Sequence, residues 1–535
     1  MALRIYNSRT RRKDGVVPLR AGRVGVYVCG LTVYDHAHIG HARTAVSFEV
    51  VRRWLEHRFP GQVRFIQNVT DVDDKIIARA AETGRSPREH AAEWDARCAA
   101  QMARLGVRPP DEAPHVTQNI PSIIQFIQGI LAKGFAYATP QGNVYFDVPG
   151  YDAHEAASHP GMGYGSLSNR DYREMAAGTR KDVEGDKKHP ADFALWKAAD
   201  AGEHVDAHWD SPWGPGRPGW HIECSLMATQ ALGDTIDVHG GGQDLIFPHH
   251  ENEVAQSQAK TGKAPFVNTW MHSGFLNVEG EKMSKSLGNF ITLESALDGL
   301  VAKGQGPEIL RFYYVQTHYR SKIDYSAKGL DEAAAGWKRL QDLRSRLAEA
   351  GRVDGSASSA NPGASGAAVA SENLGTPSSR PTSSLGPLAT AAKALEQQTE
   401  NSLDDDLHTP GVVAALFDFL RTANRILDGA SASPGEATAA LASFERCGRF
   451  ITLFDQPLAG GARAAPAKLL ALCSAMGMPA GDGATEDQLM AKLLDLRAAI
   501  RRERDWAKSD KLRDQARAAG YILEDGPGGQ RWKHA

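Results

Sequence analysis

Val24-Gly25-Val26-Tyr27-Val28-Cys29-Gly30 is an apolar run that closes on a cysteine and a glycine. Five residues of this kind, bounded by a glycine, read as a short buried strand. Eight residues beyond it, His38-Ile39-Gly40-His41 opens a helix expected from about His38 to His57, with Phe48, Val51 and Leu55 on one face. A strand, a tight loop and a helix with phosphate-contacting residues at its start form the opening of a nucleotide-binding α/β unit. Val63-Arg64-Phe65-Ile66 reads as the next strand and Asp73–Glu82 as the next helix. Helices and short strands alternate through residue 330, which predicts a Rossmann-type, mostly parallel sheet.

Lys282-Met283-Ser284-Lys285-Ser286 lies about half a chain further on. His38 and His41, one helical turn apart, can reach phosphate oxygens, and two ammonium groups on a loop can neutralise a leaving pyrophosphate. Phosphoryl and nucleotidyl transfer depend on charge stabilisation of this kind. Either string alone also reads as an ordinary helix start or a solvated turn. Together, in this order, they point to one ATP site built from two distant segments. His239-Gly240-Gly241-Gly242-Gln243-Asp244, after a strand expected at Thr235–Val238, reads as a glycine-rich turn. Its backbone could approach a ligand closely and Asp244 could take ribose hydroxyls; a tight turn needing positive φ explains the glycines equally well.

His249 and Glu253 stand four apart and share a face if the segment is helical. With Cys224 upstream and Cys29 at the end of the first strand, they make a plausible zinc set. The alternative is burial, with the cysteines as small hydrophobes and His249 as a core histidine.

The 535 residues suffice for several domains with real cores, and 42% hydrophobic with 23% charged residues is ordinary for a soluble protein. A formal net charge of −3 means that any nucleic-acid contact rests on local patches. The start, Met1-Ala2-Leu3-Arg4-Ile5-Tyr6, lacks a signal-peptide pattern, and no apolar run approaches a membrane span. Five scattered cysteines speak against a disulfide framework, so a cytoplasmic location is expected. Residues 1–330 form the expected catalytic domain, with the Lys282 loop region at 270–330. A stretch from about 115 to 220, mixing helix and loop, reads as an insertion. Residues 331–350 and 388–455 read as a helical bundle, with Val412, Leu416 and Leu420 in a four-residue rhythm. The Ser-, Ala-, Gly- and Pro-rich stretch 351–387 between them reads as a flexible linker. A loop at Asp455–Pro466 precedes a small module at 466–535. There Leu489, Leu493, Leu496 and Ile500 share a face, and Arg497, Arg501, Arg502, Arg504, Lys508 and Lys511 make a basic run.

These residues resemble the class I aminoacyl-tRNA synthetases, and within them the cysteinyl-tRNA synthetases. The likeness runs through Tyr27–Asp35, His38–Arg43, Asn68–Ile76, Arg217–Ser225, His239–Asp244, Phe247–Glu253, Lys282–Ser286, Asp404-Asp405-Asp406 and Leu523–Pro527. It implies activation of L-cysteine by ATP, with Mg2+, to an adenylate, and transfer to tRNA(Cys). It implies that His38, His41, Lys282 and Lys285 are catalytic, that Gly40 and Asp244 also bind ATP, and that Gly30, Thr70, Trp220 and His221 bind cysteine. Cys29, Cys224, His249 and Glu253 would hold one Zn2+ that reads the substrate thiol, so that no editing domain is needed. Four protein ligands exceed the usual catalytic three, so either the zinc expands to five-coordinate or Glu253 yields. The C-terminal module would read the anticodon through Trp506, Asp510 and Asp525, and the enzyme would be a monomer. A cysteine ligase acting on an amino-sugar would lack that module, and a non-catalytic tRNA-binding relative would have degenerate ATP motifs.

Overall fold

All five residues of β1 (Val24–Val28) are buried, which marks a strand covered on both faces of a parallel sheet. The computed structural model describes residues 2–173, 186–283, 288–352, 385–429, 431–456, 458, 467–478, 486–526 and 529–534. Lys285, most of the expected 351–387 linker and most of the Asp455–Pro466 loop lie outside the described residues. β1 is joined by β2 (Val63–Gln67), β3 (Ile236–Gly242) and β4 (Val267–Ser273) in one parallel sheet, in the order β4-β3-β1-β2. The chain moves to β2 on one side of β1 and returns to β3 on the other. This reversal is the switch point at which open α/β sheets leave a crevice beyond the strand ends. Cys29 sits there, its N–H donating to the carbonyl of Gly240 at 3.1 Å.

The helix after β1, α1 (Ile39–Arg58), begins one residue after the expected start, with His38 as its N-cap, and Phe48, Val51 and Leu55 are buried. Asp73 caps the helix Asp74–Thr83 by accepting from the Lys75 N–H. The glycine stretch differs from the expected turn: β3 runs on through Gly242, and Gly240, Gly241 and Gly242 all lack positive φ. They serve close packing instead, since a Cβ on Gly240 would overlap the Phe48 ring and stand 2.5 Å from the Met271 carbonyl oxygen. The insertion also differs. It holds a four-stranded antiparallel sheet of Ala136–Ala138, Val144–Phe146, Phe193–Ala198 and Gly216–Pro218. From it the chain enters α2 (Trp220–Leu232), which carries Cys224. His249 and His250 stand in the turn leading into α3 (Glu251–Thr261), which carries Glu253.

The contacts divide the chain into two compact units, residues 1–341, 393–418 and 443–453 in one, and 342–392, 419–442 and 454–535 in the other. The second ends in helices Ala467–Ala475, Glu486–Arg502 and Trp506–Ala518, followed by a hairpin of Tyr521–Gly526 and Gly529–His534. Leu489 and Leu493 are in its core beside Leu469, Leu512 and Tyr521, with Leu496 and Ile500 packed against it. Among the described residues no helix is long and apolar enough to cross a membrane.

Candidate active site and metal centre

The first turn of α1 is closed by its own histidines. His38 Nδ1 accepts from the N–H groups of Gly40 (3.1 Å) and His41 (3.2 Å), and His41 Nδ1 accepts from the His38 N–H at 3.3 Å. This is a capping box built from two imidazoles, whose rings stack with centroids 3.4 Å apart. Burial, with His38 and Lys75 adding, holds His41 well below the ordinary imidazole range. The distant lysine segment reaches the same place. Met283 Cε lies 3.7 Å from the point where a Cβ on Gly40 would be, and Phe290 meets the His38 ring edge-on at 5.5 Å. After the lysine segment, Ile291 and Leu293 bond to Ile39 and Ala37 (3.2 and 2.7 Å). Lys282 is exposed and ends a short edge strand, and Asn289 donates to its carbonyl at 3.2 Å. Asp244 is exposed in the turn that follows β3.

At the crevice, donor atoms from β1, α2 and the start of α3 converge. Cys29 Sγ lies 3.7 Å from Cys224 Sγ, 3.4 Å from His249 Nε2, 3.3 Å from His250 Nε2 and 3.5 Å from Glu253 Oε1. His249 Nε2 and Glu253 Oε1 are 3.1 Å apart, and ligand atoms of Cys29, His249, His250 and Glu253 all fall within 4.8 Å of one another. A tetrahedron of zinc–sulfur and zinc–nitrogen bonds has edges of about 3.8 Å between sulfurs and about 3.6 Å from sulfur to nitrogen. The spacings here lie within a few tenths of those edges. Both cysteines are free thiols. The sulfur–sulfur spacing, against about 2 Å in a disulfide, suits two ligands of one ion.

The protonation pattern suits a cation as well. Contact with Cys29 lowers the Cys224 thiol to about 6, while burial, with Cys224 adding, raises Cys29 far above the ordinary thiol. Burial works against charge on His249, but Cys224 and Glu253 raise it to about 10. Burial also opposes an ionised Glu253, yet His239 and His249 bring it down to about 2. A thiolate and a carboxylate are therefore in place, and an incoming cation would displace the protons of Cys29 and His249. Outer partners orient the donors. His221 Nδ1 lies 2.9 Å from His249 Nδ1, turning Nε2 inward; His239 Nε2 holds Glu253 Oε2 at 2.8 Å; His272 Nε2 meets His250 Nδ1 at 2.8 Å.

Around this centre the structure brings together the other residues expected at the cysteine. Asn68 accepts from the Gly30 N–H through Oδ1 (2.8 Å), donates to Thr70 Oγ1 (3.2 Å) and lies 3.6 Å from Cys224 Sγ. Thr70 Oγ1 reaches the buried Glu223 carboxyl at 3.3 Å, and burial, with Cys224 adding, raises that carboxyl well above its ordinary range. Trp220 is 39% exposed and tilts over the His249 ring at 4.5 Å, so it is a wall of the crevice, not core filling. His250, His239 and Asn68 were not among the residues singled out in the sequence. The doubled histidine at 249–250 was the available sign, because residues three and four before Glu253 both share its helix face.

In the other unit, Trp506 is 57% exposed under the Arg501 guanidinium, which lies 5.5 Å from its ring centroid. Asp510 is exposed and pairs with Arg513 at 3.2 Å. Asp525 is engaged by Arg497 at both oxygens (3.0 and 3.1 Å) and by Arg501 at 2.6 Å, and the bonds from Arg497 and Arg501 take it down to about 2.

A parallel sheet with its crevice at the switch point, a histidine-capped helix and a lysine segment folded onto it define a class I aminoacyl-tRNA synthetase. The family described as "tRNA synthetases class I (C) catalytic domain" matches residues 15–335, and the DALR domain matches 399–455. The fold is similar to Mycobacterium tuberculosis methionyl-tRNA synthetase, with a TM-score of 0.54 and 15% identity over 82% of this chain and 91% of that one. The cysteine–tRNA ligase of Heliobacterium modesticaldum is 42% identical over 100% of both chains, and that of Geobacter sulfurreducens 41% identical over the same shares. The chain belongs to the cysteine–tRNA ligase family.

Proposed function

We propose that Cys29, Cys224, His249 and Glu253 hold a zinc ion at which the substrate thiol is recognised, and that His38, His41, Lys282 and Lys285 handle the phosphates of ATP. As a cysteine–tRNA ligase, the chain joins L-cysteine to tRNA(Cys) with ATP as the energy source. The observation that carries the metal reading is the convergence of Cys224 Sγ, His249 Nε2 and Glu253 Oε1 on Cys29 Sγ at 3.4–3.7 Å. Zinc, when bound there, supplies a soft Lewis acid that prefers a thiolate to a serine hydroxyl. Serine differs from cysteine by one atom, which a pocket reading size alone discriminates poorly, so a reader of softness makes a separate editing step unnecessary. Gly30 and Thr70 line the cysteine pocket, His221 orients His249, and Trp220 covers it from the solvent side.

The cysteine carboxylate attacks the α-phosphate and pyrophosphate leaves. His38 and His41 donate hydrogen bonds to phosphate oxygens, Gly40 admits the chain of phosphates close to the helix start, and the two lysines, with Mg2+, neutralise the leaving group. Asp244 is offered for the ribose. In the C-terminal module Trp506 stacks on an unpaired base and Asp510 accepts from base edges. Asp525 is committed to Arg497 and Arg501, and serves by ordering those guanidiniums. The enzyme is proposed as a cytoplasmic monomer.

The test is ATP–pyrophosphate exchange driven by each amino acid in turn, with and without a zinc chelator. Exchange with cysteine alone, lost on chelation and restored by zinc, is the expected result. Cysteine exchange that survives thorough zinc removal would overturn the metal reading, and serine exchange at a comparable rate would overturn selection by softness.

A further inference from the structure

Arg43 lies two residues beyond His41 on α1 and is buried. Burial lowers its guanidinium to about 10, against the pull of Tyr314 and Tyr313, so it keeps its charge at neutral pH. Among the described residues no carboxylate pairs with it. It is held by five backbone carbonyls: Nη1 donates to Gly274 (2.9 Å) and Phe275 (2.7 Å), and Nη2 to His318 (3.4 Å), Tyr319 (3.3 Å) and Ser321. A buried cation without an anion is costly, and it persists only where its hydrogen bonds are fully used.

Those carbonyls form the root of the element that carries Lys282. Gly274 and Phe275 lead directly into Leu276–Val278, the middle strand of a three-stranded sheet. Its edge strand is Glu281–Lys282 and its third strand is Ile323–Tyr325. Two of the five carbonyls already serve this root, since Gly274 N donates to Tyr319 (2.8 Å) and Ile323 N to Phe275 (3.1 Å). A Cβ on Gly274 would meet the carbonyl oxygens of Arg320 and Ser321 at 2.5 Å, so the two loops touch as closely as glycine allows. Beside the guanidinium, the Thr44 and Ser273 hydroxyls bridge α1 to the end of β4 at 2.8 Å.

We propose that Arg43 is a positioning residue for adenylate formation: a single guanidinium fixes the base of the Lys282 hairpin to the helix bearing His38 and His41, and so sets the separation of the two halves of the ATP site. This rests on the assignment of those residues to the ATP phosphates under Proposed function. A misplacement of about 1 Å between reacting partners costs on the order of 100-fold in rate even when its origin is far from the chemistry. Lysine would keep the charge, but as a single point it cannot bridge both loops as the planar fork does.

The experiment compares Arg43→Lys and Arg43→Gln with the parent, as full-length zinc-loaded protein. It measures cysteine-dependent pyrophosphate exchange, single-turnover transfer from cysteinyl-adenylate formed beforehand on the enzyme, and zinc content. Pyrophosphate has left before transfer, so Lys282 contributes nothing to that step. The expected result is a fall in the exchange kcat of roughly 30- to 100-fold, with the KM for cysteine, the transfer rate and the zinc content within about twofold. Exchange kcat within about twofold of the parent, or exchange and transfer falling together, would overturn the proposal. Should both variants fail to fold, Thr44→Val with Ser273→Ala cuts the neighbouring bridge to the same strand end. A fall of roughly three- to tenfold confined to the exchange kcat is expected there, and an unchanged kcat counts against the proposal. A parent enzyme without cysteine-driven exchange would instead overturn the assignment on which it rests.

Discussion

Gly30→Ala is the substitution whose cost can be worked most directly from the geometry. A Cβ at residue 30 would overlap the Asn68 carbonyl oxygen and stand 2.7 Å from its carbon. Non-bonded carbons settle at about 3.5 Å, so the carbon alone requires the segments after β1 and β2 to part by roughly 0.8 Å, and the overlapped oxygen requires more. Overpacking of this kind costs about 1–3 kcal/mol, and the hydrogen bond from Gly30 N–H to Asn68 Oδ1 adds about 1 kcal/mol when it is lost. Asn68 also touches Cys224 Sγ and Thr70, so the displacement falls on the cysteine pocket. If most of this is expressed as lost recognition, about 2–4 kcal/mol corresponds to roughly 30- to 1,000-fold in kcat/KM for cysteine. Pyrophosphate exchange at varied cysteine and ATP measures it, with the KM for ATP expected to change little. Exchange within about threefold of the parent would refute the reasoning, because the backbone would then have yielded without disturbing Asn68.

Burial pushes the thiols of Cys98 and Cys447 up to about 11, so both should resist a maleimide at pH 7 in the native protein. Chelated protein should label at Cys224, whose thiol is lowered to about 6 by contact with Cys29, and zinc should protect it; peptide mapping that finds Cys98 labelled first would contradict this. Trp506→Ala should leave pyrophosphate exchange unchanged and raise the KM for tRNA roughly five- to 100-fold, the worth of one stacked base. An unaltered KM would remove Trp506 from the tRNA contact. His41 is held neutral by burial, with His38 and Lys75 adding. Below about pH 6.5 the unfolded chain takes up a proton at this residue that the folded helix refuses, so the stability tied to it is present above that pH and lost as pH falls. His41→Asn should therefore flatten part of the fall in melting temperature between pH 8 and pH 5, and an identical fall would show that His41 is not responsible.

β1 and α1 were legible because each has a pattern of its own: an unbroken apolar run in one, and Phe48, Val51 and Leu55 at helical spacing in the other. The metal donors were legible only as residue types. They arrive from a strand end, α2, the turn before α3 and α3 itself, and nothing in a linear spacing of 195 residues between Cys29 and Cys224 brings two sulfurs together. The insertion's sheet escaped notice because Ala136–Ala138 and Val144–Phe146 are three residues each, too short for alternation to register. Glycines 240–242 read as a turn because they carry no side chains to show a pattern, although their reason is the ring and carbonyl packed against them. Asp525 read as a free acceptor, and only the hairpin brings it to Arg497, 28 residues upstream.

The imidazole capping box has a consequence for proton placement. His38 Nδ1 accepts two backbone N–H groups and His41 Nδ1 accepts a third. A nitrogen that accepts cannot carry the proton, so both neutral rings are locked as the Nε2–H tautomer. The turn that starts the helix thus works as a tautomer selector. Fraying it would return each ring to the mixture it adopts in water, and a share of the molecules would offer a lone pair where a donor is required. Readiness for chemistry and integrity of the helix start are therefore one property, and a probe of ring protonation such as nitrogen NMR would report on both.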